Sequence, residues 1–75
     1  MTPTHHAAEQ GTVVTFDGHR GLGVVEDRTG TRYDFHCTAI EGSRTIAGGT
    51  RVLFNVVPGH LGRVEATTLR PLMRR

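Results

Sequence analysis

A chain of 75 residues with a formal net charge of +2 makes one small domain. Only about 60% of the unfolded surface is buried at that size, which leaves no room for a deep catalytic cleft beside a core. The single cysteine, Cys37, cannot close an internal disulfide, so the chain is expected to be stable without one and to suit a reducing cytoplasm. Arginine supplies every basic side chain, a balance that permits polyanion binding without demanding it.

Residues 1–10 read as a flexible polar tail carrying His5 and His6, with no apolar segment of signal-peptide type. The longest apolar runs are a few residues, so neither secretion nor membrane insertion is expected. Residues 11–16 read as a first strand ended by the turn signal Asp17-Gly18, and residues 20–26 as a second. The turn-rich residues 27–31 lead into a third strand over 32–37. Thr38-Ala39-Ile40 can make one helical turn, and 41–49 is a glycine-bearing loop. A fourth strand over 51–57 has Val52, Phe54 and Val56 alternating inward. A hairpin loop over 58–62 delivers a fifth strand, 63–69, and Pro71 closes the ordered part. Residues 70–75 form a basic tail that includes Arg70, Arg74 and Arg75, split evenly between a phosphate-contacting and a solubilising reading.

No stretch sustains a 3.6-residue apolar period. Five short strands in so small a chain favour closure, because a barrel removes edges that would pair with neighbours. The expected fold is an all-β, five-stranded antiparallel barrel over residues 11–69. Its expected core is Val13, Val25, Tyr33, Phe35, Ile40, Val52, Phe54, Val56 and Ala66.

Arg20-Gly21-Leu22-Gly23-Val24-Val25 and Tyr33-Asp34-Phe35-His36-Cys37 are the runs around which the chain is organised. Glycines at alternate positions leave one strand face bare, which brings another backbone or a flat ligand close and serves barrel curvature. If the two runs pair, the outward face carries Leu22, Val24, Asp34 and His36, rimmed by Arg20. Adjacent strand residues point to opposite faces, so His36 and Cys37 are not expected to share a proton, and nothing else suggests an enzyme. His19, His36 and His60 lack a local pair at ligand spacing, so neither a metal nor a cofactor is expected.

Gly11-Thr12-Val13 with Phe16, Arg20-Gly21-Leu22-Gly23, His36 with Ala39-Ile40, Gly49, Val52, Phe54, Val56-Val57, Gly59 and Gly62 keep their spacing over nearly the whole chain. In that order they resemble the cold-shock domain, the OB-fold barrel of bacterial cold-shock proteins. The resemblance implies binding of single-stranded RNA or DNA on two ribonucleoprotein-like motifs, with bases stacked on aromatic rings. It further implies a cytoplasmic RNA chaperone or cold-responsive regulator. Here the rings are largely exchanged. Leu22 and Val24 stand where the family has two phenylalanines, Thr15 where it has tryptophan, and Asp34 and Cys37 where it has two more phenylalanines, while His36 is kept.

Each base–aromatic stack contributes roughly 1–3 kcal/mol, so losing several removes orders of magnitude of affinity. Asp34 adds a negative charge where phosphates would run. The expected activity is therefore weak, mainly electrostatic binding of single-stranded nucleic acid. Arg20, Arg32, Arg44 and Arg63 would hold the backbone, and Phe16 and His36 would supply the remaining stacking. Leu22 and Val24 are counted in that surface. The alternative is a homodimer or protein interface built on the aliphatic patch Val14, Leu22 and Val24.

Overall fold

The computed structural model describes residues 8–72. Its strands are β1 (Glu9–Asp17), β2 (Leu22–Asp27), β3 (Arg32–His36), β4 (Arg51–Pro58) and β5 (Val64–Pro71). They close into a barrel in the order β1-β2-β3-β5-β4. Single turns of 3-10 helix, Cys37–Ala39 and His60–Gly62, follow β3 and join β4 to β5. This is the closed five-stranded barrel expected from the strand pattern, and it is consistent with the OB-like barrel that the resemblance implies, with one correction. The sheet is not antiparallel throughout: β3 and β5 run parallel, with Asp34 opposite Glu65, and the bridge from Ile40 to Leu69 has the same sense. A ring of five strands cannot alternate direction all the way round, so closure itself requires a parallel pair.

Strand pairing reaches into both stretches read as tails. Glu9 and Gln10 pair with Phe54 and Leu53, so β1 begins inside the stretch read as flexible. At the other end Arg70 and Pro71 pair with Leu53 and Val52, and the Leu72 N–H donates to the Arg51 carbonyl at 2.8 Å. Pro71 is tolerated because it ends the strand, where its missing N–H costs no interior ladder bond. His5, His6, Arg74 and Arg75 lie outside the described residues. Arg20 belongs to the turn before β2 and Cys37 to the helical turn after β3.

Val13, Val25, Phe35, Ile40, Val52, Phe54, Ala66 and Leu69 are buried together. Tyr33 is half-buried. Its ring packs tilted on Phe54 with centroids 5.7 Å apart, and its hydroxyl donates to Asp27 Oδ2 at 3.3 Å. Two bulges account for most of what alternation misplaces. On β1, Val13 pairs with Val25 and Thr15 with Val24, so Val14 is the extra residue, and Thr15 joins the outer face while Phe16 turns in. On β5, Leu53 faces Arg70 but Asn55 faces Thr67. The extra residue there falls beside Thr68, whose φ of 55° is left-handed. That step brings Leu69, not Thr68, into the core.

Val56, placed in the core by the same alternation, is 37% exposed. Among the described residues β4 pairs with β1 only as far as Phe54 opposite Glu9. Beyond that point Val56 has β5 on one side alone and lies at the open end of the barrel. No helix among the described residues is long and apolar enough to cross a membrane.

Candidate nucleic-acid interface

The β2–β3 ladder sets Leu22 opposite His36, Val24 opposite Asp34 and Gly23 opposite Phe35. Because side chains alternate, the first two pairs face out and the third faces in. Outward, Leu22, Val24, Asp34 and His36 line an open hollow of about 600 Å³, together with Thr15, Asp17 and Glu65 at its margins. Leu22 is 47% exposed there.

Inward, the bare space at Gly23 is already filled. A Cβ on Gly23 would lie 2.7 Å from Phe35 Cε2 and 2.9 Å from the Thr15 carbonyl oxygen. The close approach that this glycine permits is thus made by the barrel's own phenylalanine, not by a ligand. Phe16 completes that packing, its ring stacked on Phe35 with centroids 5.9 Å apart and planes 7° from parallel. Phe16 is half-buried against the core and does not line the hollow.

His36 ends β3 and caps the helical turn. Its Nδ1 accepts from the Thr38 N–H at 3.3 Å and lies 3.1 Å from Thr38 Oγ1. An accepting Nδ1 leaves the proton of a neutral imidazole on Nε2. Cys37 Sγ lies 3.8 Å from the same Nδ1, which corrects the expectation that alternation keeps the two apart. Cys37 starts a 3-10 turn, so strand alternation stops at His36. The thiol itself packs beside Gly21, whose φ is 69° and whose Cβ, if present, would be 2.9 Å from Sγ.

The charges are distributed less favourably for a polyanion than arginine content implies. Asp17 Oδ1 accepts from the N–H groups of His19 (3.0 Å) and Arg20 (3.3 Å), closing the turn after β1. Arg63 Nη2 lies 3.5 Å from Asp34 Oδ2, and both side chains are well exposed. Arg32 pairs with Glu26 at 3.6 Å at the opposite end of the β2–β3 ladder from the hollow, and Arg44 is exposed in the loop before β4. Of the expected contact residues, the fold therefore gathers Leu22, Val24 and His36 and puts Arg63 at their edge beside Asp34. It leaves Arg20 in the adjoining turn and Arg32 at the far end of the ladder, and Arg44 is not among the lining residues.

Glu65 is the lining residue that strand reading missed, since no local pattern announces that β5 closes against β3. Thr15 was missed as lining because the bulge at Val14 is invisible to strict alternation. No group of three His, Cys, Asp or Glu side chains among the described residues could hold a metal ion.

At the far end of the ladder Asp27 ties the β2–β3 turn. Oδ1 accepts from the Thr29 N–H (2.9 Å), Thr29 Oγ1 (2.8 Å) and the Thr31 N–H (2.9 Å). These bonds, led by the Thr29 hydroxyl, hold its carboxyl below the usual carboxylate range. Desolvation first, then the charge of Asp27, raises the Tyr33 phenol above its ordinary value. No protein-family model matches the chain, and no curated protein matches it in sequence.

Proposed function

We propose that this chain is a cold-shock-like OB-barrel protein that binds single-stranded nucleic acid weakly, on the outer face of β2 and β3. The observation that carries the proposal is the hollow itself. Leu22 and Val24 form an apolar floor, with His36 at one end and Arg63 beside the opposite wall. A base can lie flat on two aliphatic side chains, gaining burial without the π-stacking that an aromatic platform adds. The backbone is then held by the arginines nearest the hollow, Arg20 and Arg63. By the resemblance set out above, such a protein acts as an RNA chaperone or cold-responsive regulator in the bacterial cytoplasm.

Fluorescence anisotropy of labelled single-stranded oligonucleotides tests this. Two neutralised phosphates give a slope of log affinity on log salt of roughly −1.4. Leu22→Asp and His36→Ala should both weaken binding, and Asp34→Phe should tighten it. Absence of binding at low salt overturns the proposal.

One observation favours a second reading. Asp17, Asp34 and Glu65 surround the apolar floor, a pattern that suits a protein partner or a second copy docking on Val14, Leu22 and Val24 better than a phosphate chain. In that case sedimentation shows a concentration-dependent dimer that Leu22→Asp dissolves, and oligonucleotides leave it unaffected.

A further inference from the structure

The wall of the hollow offers acceptors and no donors. Asp34 and Glu65 stand opposite each other where β3 meets β5. Both line the main hollow and also a smaller depression of about 120 Å³ on its other side, which holds Leu61, Arg63 and Val64. These two residues therefore separate the Leu22 and Val24 floor from Arg63; the Glu65 carboxyl group lies against Gly59, and Asp34, cross-strand from Val24, is the acid beside the floor. Arg63 reaches Asp34 Oδ2. Among the described residues no hydrogen bond is made to Asp34 Oδ1 or to the Glu65 carboxylate.

Ionised carboxylates only accept hydrogen bonds. A base lying on Leu22 and Val24 turns its edge toward this partition. In a single strand that edge is free to be read. Guanine presents two adjacent donors there, N1–H and the N2 amino group, which match the two oxygens of one carboxylate. Cytosine and adenine each present one amino group beside an acceptor nitrogen, and uracil places one N–H between two carbonyls. We propose that Asp34 makes this face selective for guanine within a single strand, accepting from N1–H and the N2 amino group, with Arg63 as the residue that positions the carboxylate. The inference rests on the single-strand reading above and deepens it. The acid that repels phosphate lowers affinity for every sequence alike, while the gain is confined to one base, so overall strength is exchanged for discrimination.

The test uses oligouridine hexamers carrying one central guanosine, inosine, adenosine, cytidine or uridine, titrated by anisotropy at low salt. A two-point base contact discriminates by about fivefold or more, so guanosine is expected to bind that much tighter than uridine. Inosine, which lacks the N2 amino group, falls between them. Asp34→Asn replaces two acceptors by one acceptor and one donor; the preference should then leave guanosine and move toward adenosine, which an amide can pair bidentately. Arg63→Ala should lower the guanosine-to-uridine ratio, and Arg63→Lys should restore part of it, a change in ratio that a loss of general charge does not produce.

If all five hexamers bind equally and Asp34→Asn tightens each by the same factor, Asp34 is only a repulsive charge and the inference fails while the single-strand reading stands. If none binds at low salt, that reading itself fails and takes the inference with it.

Discussion

The inner and outer faces of the β2–β3 ladder share a backbone and differ in what constrains them. Inward, Gly23, Val25 and Phe35 sit in a space whose volume is already allotted: the Phe35 ring occupies the place of a Gly23 side chain and stacks on Phe16. Outward, Leu22, Val24, Asp34 and His36 border open solvent, and no neighbour dictates their size. A core position is held by packing whatever the protein binds, whereas an outward position is held only by what it touches in use. Side chains on the outside can therefore change without disturbing the fold inside.

The largest effect expected from breaking this contrast is on the inner side. Gly23→Ala forces a Cβ against Phe35 and should destabilise the barrel by about 1–3 kcal/mol in urea unfolding. On a Phe35→Leu background the same change should cost measurably less, since the two positions share one space. An equal cost in both backgrounds would show that the strain is with the Thr15 carbonyl instead. On the outer side Leu22→Asp should shift stability by less than about 0.5 kcal/mol while weakening oligonucleotide binding. A stability loss as large as that of Gly23→Ala would mean that the outer face is structural after all.

The smallest effects lie at the turn, where the two faces meet. Asp27 has a lowered folded pKa, so its contribution is present above the unfolded value near 3.8 and is lost as pH falls through the folded one. Thermal midpoints should decline below about pH 4, and that part of the decline should vanish in Asp27→Ala. Tyr33, raised from 10.0, acts in the opposite sense: stability is lost as pH rises above that value. Tyr33 is the one tyrosine in the chain, so tyrosinate absorbance reads its titration directly, and its midpoint should move down in Asp27→Ala.

Strand positions, the outward set on β2 and β3, and most of the core were legible because alternation reports which face a residue takes. What was not legible depended on partners far along the chain. The bulges at Val14 and Thr68 reset alternation, moving Thr15 out and Leu69 in. Both follow from how each strand must bend to meet its neighbours, which short-range pattern does not encode. Likewise the meeting of Asp34 with Glu65, on which the wall of the hollow depends, joins strands separated by the whole of β4. Arginine content suggested a cationic surface, but Arg32, Arg63 and Arg70 each lie within 3.9 Å of an acid, and pairing of this kind is not visible in a count of charges.

The junction of β3 with β5 is the slit along which the cylinder would first come apart, since among the described strand residues its register consists of Asp34 opposite Glu65. Amides bordering it should exchange with solvent sooner than those between β1 and β2. Anything that settles across those two carboxylates lies over the slit like a clasp, so occupancy would be felt as slower exchange on both of its lips. Occupancy of that surface and cohesion of the cylinder would in that sense be one event.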